Sequence, residues 1–211
     1  MTEMAHVYVV DDDPSVRRSL VRLLQTVGHY VEGYPSAESF LAREPVGGPG
    51  CLVLDVRMSG MTGLELQRRL TASDNAMAVV FITGHGDVPM SVEAMKAGAV
   101  DFLMKPFDDE VLLAAIDRGL ARDRVRAERQ RELDSLRARY DRLTPRQQQV
   151  FALVVTGLLN KQVAGWLGTT EKTIKVHRAR VMQTMQAASL PDLVRQAERL
   201  QLRTPDASAM R

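Results

Sequence analysis

The chain reads as an α/β protein in which a doubly wound, five-stranded parallel sheet precedes a charged helical linker and a small all-α domain of four helices. Three observations predict this. Short β-branched runs alternate with helix-spaced stretches through the first half. Four of those runs end on a carboxylate, a hydroxyl or an ammonium, the pattern of a parallel sheet that gathers chemistry at the carboxyl ends of its strands. The charge is also split along the chain. Residues 1–122 hold 11 basic and 17 acidic side chains, whereas residues 143–211 hold 10 and 4.

Strands are expected at 7–10, about 29–33, 51–54, 79–82 and 100–104. The first helix starts at Pro14, with Asp13 as its N-cap and proline at N1. It carries Val16, Leu20, Leu23, Leu24 and Val27 on one face and stops at Gly28. Further helices are read at about 36–43, 63–72 and 88–97, the last ended by Gly98, and from 109 onward. Five βα units imply a sheet covered on both faces, with right-handed crossovers. From about 117 to 142, arginines alternate with acids over a sparse stripe of Leu120, Leu133, Leu136 and Tyr140. This reads as a solvated helical connector, since the stripe is too thin for a sustained coiled-coil heptad. Next, Thr144-Pro145-Arg146-Gln147 is a capping box opening a helix. A short helix starts at Asn160 and a turn lies at Gly168-Thr169-Thr170. Thr170 caps a helix from Glu171 to about Met185, and a last helix runs from Ser189 to about Leu202. The expected segments are therefore 4–120, 121–142 and 143–205, followed by a frayed tail.

One cysteine, Cys51, excludes an intramolecular disulfide and a cysteine-rich zinc site, and suits a reducing, cytoplasmic setting. Met1 to His6 lacks the basic start of a signal peptide. The longest uncharged apolar stretch, Val150 to Leu159, is far too short to cross a bilayer, so no membrane partner is expected.

Asp11, Asp12 and Asp13 follow Val7-Tyr8-Val9-Val10, and Asp55 follows Cys51-Leu52-Val53-Leu54. Thr83 follows Val79-Val80-Phe81-Ile82, and Lys105 follows Val100 to Met104. Phosphoryl transfer needs an in-line nucleophile, a metal on the phosphoryl oxygens and a fixed cation. Asp55, alone at the end of the central strand, is the natural nucleophile. Asp11 and Asp12 would hold the metal, Lys105 would pair with the phosphoryl group and Thr83 would hydrogen-bond it. Charges at strand ends are individually unremarkable, but five such groups on four strands are not. The Lys105-Pro106 bond is a candidate cis peptide.

These residues carry a resemblance. Val9-Val10-Asp11-Asp12-Asp13, Leu54-Asp55-Val56-Arg57-Met58, Ile82-Thr83-Gly84-His85-Gly86 and Lys105-Pro106-Phe107 resemble the receiver domain of two-component response regulators, a flavodoxin-like fold, over about 4–120. The resemblance implies that Asp55 accepts phosphate from a sensor histidine kinase. It implies that Asp12, Asp55 and the Arg57 backbone carbonyl coordinate Mg2+ with help from Asp11, and that Thr83 and Phe102 form a switch pair. Arg57 and His85 fall where such proteins tune the lifetime of the acyl phosphate. Ser59 departs from the proline usual after the methionine, which is expected to loosen the loop while removing no ligand.

In the helix from Glu171, Ile174, Val181 and Met185 face inward and His177 is read as packed rather than metal-binding. Lys172, Lys175, Val176 and Ala179 form an outward stripe at i, i+3, i+4 and i+7, suited to a DNA major groove. Arg178 and Arg180 flank it, and Thr173 and helix N-termini are further phosphate donors. Leu143-Thr144-Pro145-Arg146, Asn160-Lys161-Gln162-Val163-Ala164 and Thr173-Ile174-Lys175-Val176-His177 resemble the LuxR-type helix-turn-helix. Gln147 stands where Glu is usual.

The two modules together resemble the FixJ/NarL group, nearest its FixJ branch. The resemblance implies a transcription regulator, not an enzyme, that dimerises on phosphorylation through Val92, Lys96 and Asp101 and then binds double-stranded DNA as a homodimer. RNA polymerase is an open further partner. The charge split adds a companion expectation, an inhibitory contact between the acidic and basic modules. Two rivals are a phosphorylation-independent DNA binder with a vestigial receiver and an Asp-nucleophile phosphohydrolase. The second would want an acid at position 57, where Arg57 stands.

Overall fold

Alternate residues of each apolar run are buried on opposite faces of one sheet, which places two cores on a single set of strands. Val7, Val9, Cys51, Val53, Val80 and Ile82 point one way; Tyr8, Val10, Leu52, Leu54, Val79 and Phe81 point the other. The computed structural model describes residues 5–44, 48–72, 77–84 and 88–202. The chain divides into two compact units, Met1–Glu128 and Arg129–Arg211.

In the first unit, strands β1 (His6–Val10), β2 (Tyr30–Tyr34), β3 (Gly50–Asp55), β4 (Ala78–Thr83) and β5 (Asp101–Met104) form a parallel sheet in the order β2-β1-β3-β4-β5. Helices α1 (Pro14–Thr26) and α5 (Asp109–Asp141) supply Leu20, Leu24, Leu112, Ala115, Ile116 and Leu120 to one core. Helices α2 (Ala37–Leu41), α3 (Gly63–Ala72) and α4 (Val88–Lys96) supply Phe40, Leu66, Leu70 and Ala94 to the other. The strand order reverses between β1 and β3. In open parallel sheets that reversal opens a crevice at the carboxyl ends of the strands.

The sequence-predicted elements differ mainly at their ends. The second strand lies one residue later than expected, because after Gly28 (φ 94°) His29 still donates its N–H back to the Leu24 carbonyl of α1. Val100 precedes β5 but still donates its N–H to the Val79 carbonyl. The 203–211 tail and His85 lie outside the described residues. Asp13 caps α1 as expected, its Oδ1 accepting from the N–H groups of Ser15 and Val16. Two contacts draw α5 close to β3. A Cβ on Gly119 would come within 2.8 Å of the Cys51 Sγ, so glycine sets that approach. The buried Asp123 carboxylate accepts the Gly50 N–H at 2.8 Å and the Arg126 Nε–H at 2.7 Å.

In the second unit, α6 (Pro145–Val154), α7 (Asn160–Trp166), α8 (Glu171–Met185) and α9 (Leu190–Arg199) enclose Val150, Phe151, Val163, Ile174, Val181, Met185 and Leu193. The Thr144 and Thr170 caps stand where the sequence places them, and Ser189, read as the start of the last helix, is its N-cap. Thr144 and Gln147 form a reciprocal box on α6, Thr170 accepts from Thr173 N–H on α8, and Ser189 accepts from Asp192 N–H on α9.

The segment read as a solvated connector is more than that. Leu136 is 2 % exposed and belongs to the core of the second unit, with Leu133 and Tyr140 packed against it. Tyr140 meets Phe151 edge-on at 5.4 Å between ring centroids, and Arg139 donates from Nη1 to the Met185 carbonyl at 3.0 Å, capping the end of α8. The last turns of α5 thus bury the sparse stripe rather than leave it solvated. Leu136→Ala is therefore expected to destabilise the second unit by about 2–4 kcal/mol, the cost of a buried leucine truncation. Denaturation followed by the fluorescence of Trp166, the sole tryptophan and a residue of that unit, measures it.

Candidate functional site

At the carboxyl edge of the sheet, strand register decides which groups meet. Val10 pairs with Leu54, Asp55 with Ile82, and Thr83 with Met104, so the residues just beyond β1 and β5 flank the last residues of β3 and β4. Lys105 extends this register by donating its N–H to the Thr83 carbonyl at 2.7 Å, and its bond to Pro106 is cis. A cleft of about 250 Å³ results, lined by Asp11, Asp12, Asp13, Val16, Asp55, Arg57, Thr83, Gly84 and Lys105.

The Lys105 ammonium bridges two buried carboxylates, 2.7 Å from Asp11 Oδ2 and 3.2 Å from Asp55 Oδ1. Asp11 is fixed from further sides. Its Oδ1 accepts the Asp13 N–H at 2.9 Å, and its carbonyl accepts from Arg17 Nη1 at 2.6 Å, a contact with no signature in the sequence. Burial pushes the Asp55 carboxyl above the ordinary aspartate range; the charges of Asp11 and Asp12 add to this and Lys105 opposes it. For Lys105, burial acts downward, but the hydrogen bonds and charges of Asp11 and Asp55 outweigh it and raise the ammonium above its usual value. Backbone N–H groups of Ser15 and Val16 lower Asp13, as a helix cap does.

Asp12 is exposed, and its Oδ2 accepts from both the N–H (3.0 Å) and the Oγ (3.3 Å) of Ser59. The loop after β3 is thus tied to Asp12, not loosened as the sequence suggests. It is pinned elsewhere too. Val56 N–H reaches the Ile82 carbonyl, Met61 N–H reaches Glu38 Oε1, and Gly63 N–H returns to the Val56 carbonyl. A Cβ on Gly63 would collide with the Asp55 carbonyl oxygen, so the backbone of α3 passes directly beneath the acid.

Asp11, Asp12 and Asp55 each offer a ligand oxygen within 4.8 Å of the others. Three hard oxygen donors suit a small divalent cation of the Mg2+ kind better than a thiophilic metal. Thr83 is 1 % exposed beside this cluster, and Phe102 is half-buried with its ring 6.2 Å from that of Phe81. Of the residues expected on a dimer face, Val92 is 43 % exposed, Lys96 is exposed, and Asp101 is half-buried and paired to Arg118 at 2.6 Å. Val88, Met95 and Met104 are also exposed.

On α8, Lys172, Lys175, Val176, Ala179 and Arg180 are exposed along one side while Ile174, Val181 and Met185 are buried. Lys175 pairs with Glu171 at 3.5 Å, an exposed contact of small energetic weight. Arg178 is half-buried and donates to Asn160 Oδ1 at 3.2 Å, so one of its donors is used in holding α7 to α8. Thr173 shares a 2.9 Å hydrogen bond with Thr170, and His177 is half-buried. Among the described residues no helix is long and apolar enough to cross a membrane.

Two family models match the chain: the response regulator receiver domain over residues 7–117, and bacterial regulatory proteins of the luxR family over residues 141–197. Nodulation protein W of Bradyrhizobium diazoefficiens is 49 % identical over 93 % of this chain and 86 % of its own length. Transcriptional regulatory protein FixJ of Azorhizobium caulinodans is 46 % identical over 93 % of each. Among solved structures, the response regulator StyR superposes with a TM-score of 0.79 at 48 % identity, covering 92 % of this chain and 98 % of that one. Full-length FixJ from B. japonicum gives 0.56 at 43 % identity, covering 96 % and 100 %.

The raised Asp55 carboxyl fixes the sign of a pH effect. Folding holds that proton more tightly than the unfolded chain does, so ionising Asp55 costs stability as pH rises through its folded value. In the absence of metal, Asp55→Asn is expected to gain stability relative to wild type between acid and neutral pH, as denaturation at a series of pH values will measure. Lys105→Met is expected to cost on the order of 3 kcal/mol at neutral pH, because it leaves Asp11 buried without its cation.

Proposed function

The chain belongs to the bacterial response regulators that join a receiver domain to a LuxR-family DNA-binding module, and from that premise we propose that its output is switched by phosphorylation of Asp55. The observation that carries the proposal is the Lys105 ammonium shared between buried Asp11 and Asp55 at the end of the central strand. That geometry presents an acceptor oxygen beside a fixed cation, which is what phosphoryl transfer asks of a protein.

In this reading Asp55 attacks the phosphorus of a phosphohistidine on a sensor kinase. A bond forms from its carboxylate oxygen as the phosphorus–nitrogen bond to the donor imidazole breaks. Asp12, Asp55 and the Arg57 carbonyl would hold Mg2+, with Asp11 assisting, and the ion would supply positive charge to the phosphoryl oxygens. Lys105 moves part of its contact from Asp55 to the new phosphoryl group. The Thr83 hydroxyl donates to a phosphoryl oxygen, drawing in the segment after β4, and the half-buried Phe102 turns further inward. The α4–β5 face with Val92, Lys96 and Asp101 then pairs two copies. Two α8 helices enter successive major grooves, Lys172, Lys175, Val176 and Ala179 towards base edges, and Thr173, Arg178 and Arg180 towards the backbone. The protein is a switch rather than an enzyme serving a substrate, it acts in the cytoplasm, and RNA polymerase is a further partner of the DNA-bound dimer.

Incubation with acetyl phosphate and Mg2+ tests this reading. Wild type should retain phosphate and shift to a dimer on size exclusion, and Asp55→Asn should do neither. Val92→Glu should take phosphate yet remain monomeric. DNA affinity that is equal with and without phosphate would favour a phosphorylation-independent binder. Lys175→Ala should weaken DNA binding; if its contact is a phosphate, the slope of log affinity against log salt falls by about one.

A further inference from the structure

We infer that Ser59 is a positioning residue for the metal ligand Asp12, supplying through its N–H and hydroxyl an orientation that Asp12 lacks by itself. The inference rests on the proposed Mg2+ site and adds a residue to it.

Asp12 differs from its two partners in the cluster. Asp11 and Asp55 are buried and held by Lys105, whereas Asp12 is exposed. An exposed carboxylate rotates freely unless something holds it, and ordering it on metal binding costs rotational freedom. Here two donors hold one oxygen: Ser59 N–H at 3.0 Å and Ser59 Oγ at 3.3 Å, both on Oδ2.

The donors themselves are fixed. The loop carrying Ser59 is anchored before it by Val56 N–H on the Ile82 carbonyl, and after it by Met61 N–H on Glu38 Oε1. In this arrangement Asp12 already offers an oxygen within 4.8 Å of ligand oxygens on Asp11 and Asp55. The latch therefore holds Asp12 within reach of the cluster. A carboxylate has lone pairs enough to accept on one oxygen and bind a cation with the other. Hydrogen-bonded support of this kind commonly changes metal affinity by about 10–100-fold.

Position 59 decides how much of the latch exists. Proline there has no N–H and no hydroxyl, and removes both donors. Alanine keeps the N–H, and threonine keeps both. The inference thus sets a graded series on a residue that is itself no ligand. Arg57, whose carbonyl is a proposed ligand, lies two residues earlier on the same pinned loop.

Mg2+ binding to the full chain, measured by isothermal titration with Mg2+ as the sole ligand, provides the test. Relative to wild type, affinity should fall about threefold in Ser59→Ala and about tenfold in Ser59→Pro, and stay within about twofold in Ser59→Thr. Denaturation in EDTA should leave the Ser59→Ala and Ser59→Thr variants close to wild type, which separates positioning from a general loss of fold. Equal or tighter Mg2+ binding by Ser59→Pro, or equal loss in Ser59→Thr and Ser59→Ala, overturns the inference. Failure of wild type to take up Mg2+, or undiminished uptake by Asp55→Asn, removes the metal site itself and the inference with it. Normal uptake with no response at position 59 removes the inference alone.

Discussion

The first unit is organised around one ammonium placed between two buried carboxylates. Lys105 reaches Asp11 and Asp55 across the edge of the sheet, and each of the three groups would be costly to bury without the others. The arrangement exists because β1, β3, β4 and β5 run parallel in a register that brings their ends level. A shift of one residue in any of these strands would turn the side chains to the opposite face and separate the ion pairs. The continuous apolar runs that fix the register are thus also what fix the chemistry. The cluster is electrostatically unfinished: one cation serves two buried acids and an exposed third. Burial is the main push upward on the Asp55 carboxyl, and the charges of Asp11 and Asp12 add to it against the opposing pull of Lys105. A site short of positive charge is suited to take up a divalent cation, and it can then accommodate a phosphoryl group whose own charge would otherwise be repelled.

Much of this was legible in the sequence because it depends on periodicity and strand ends. Runs such as Cys51-Leu52-Val53-Leu54 admit burial on both faces, and a polar residue closing each one must lie at an edge. Caps were equally legible, since Asp13, Thr144 and Thr170 act within three residues of themselves. What escaped depends on contacts between distant segments. Arg17 on the Asp11 carbonyl and Ser59 on Asp12 leave no periodic trace, because either arginine or serine is ordinary on an exposed surface. The Leu136 stripe was legible as a stripe. Its partners were not, because Leu133, Leu136 and Tyr140 alone are too few to distinguish a solvated helix from one whose last turns pack into a second core.

The second unit solves a different problem with a similar economy of contacts. α8 must expose a basic side and yet be held rigidly enough to present it. Its inner face is buried through Ile174, Val181 and Met185, Thr170 caps its start, and Arg139 from the end of α5 donates to its last carbonyl, that of Met185. Arg178 ties it sideways to Asn160 at the start of α7. Each clamp engages a terminus or an edge of the helix, leaving Lys172, Lys175, Val176, Ala179 and Arg180 exposed.

Both units therefore hold their polar groups in place through fixed neighbours. In the first, a half-buried lysine and a pinned loop order three acids; in the second, caps and a side tether order a helix. This division has a consequence for variation among such proteins. A ligand needs its own donor atom, whereas a support such as Ser59 acts only through the geometry it holds, and on the inference above its replacement changes metal affinity without removing a ligand. Position 59 departs from the proline usual at this point of a receiver, and the departure adds two donors to a carboxylate that no lysine reaches. Here the Lys105 ammonium contacts Asp11 and Asp55, and the third acid takes its order from a different source, the donors of Ser59 on the loop after β3.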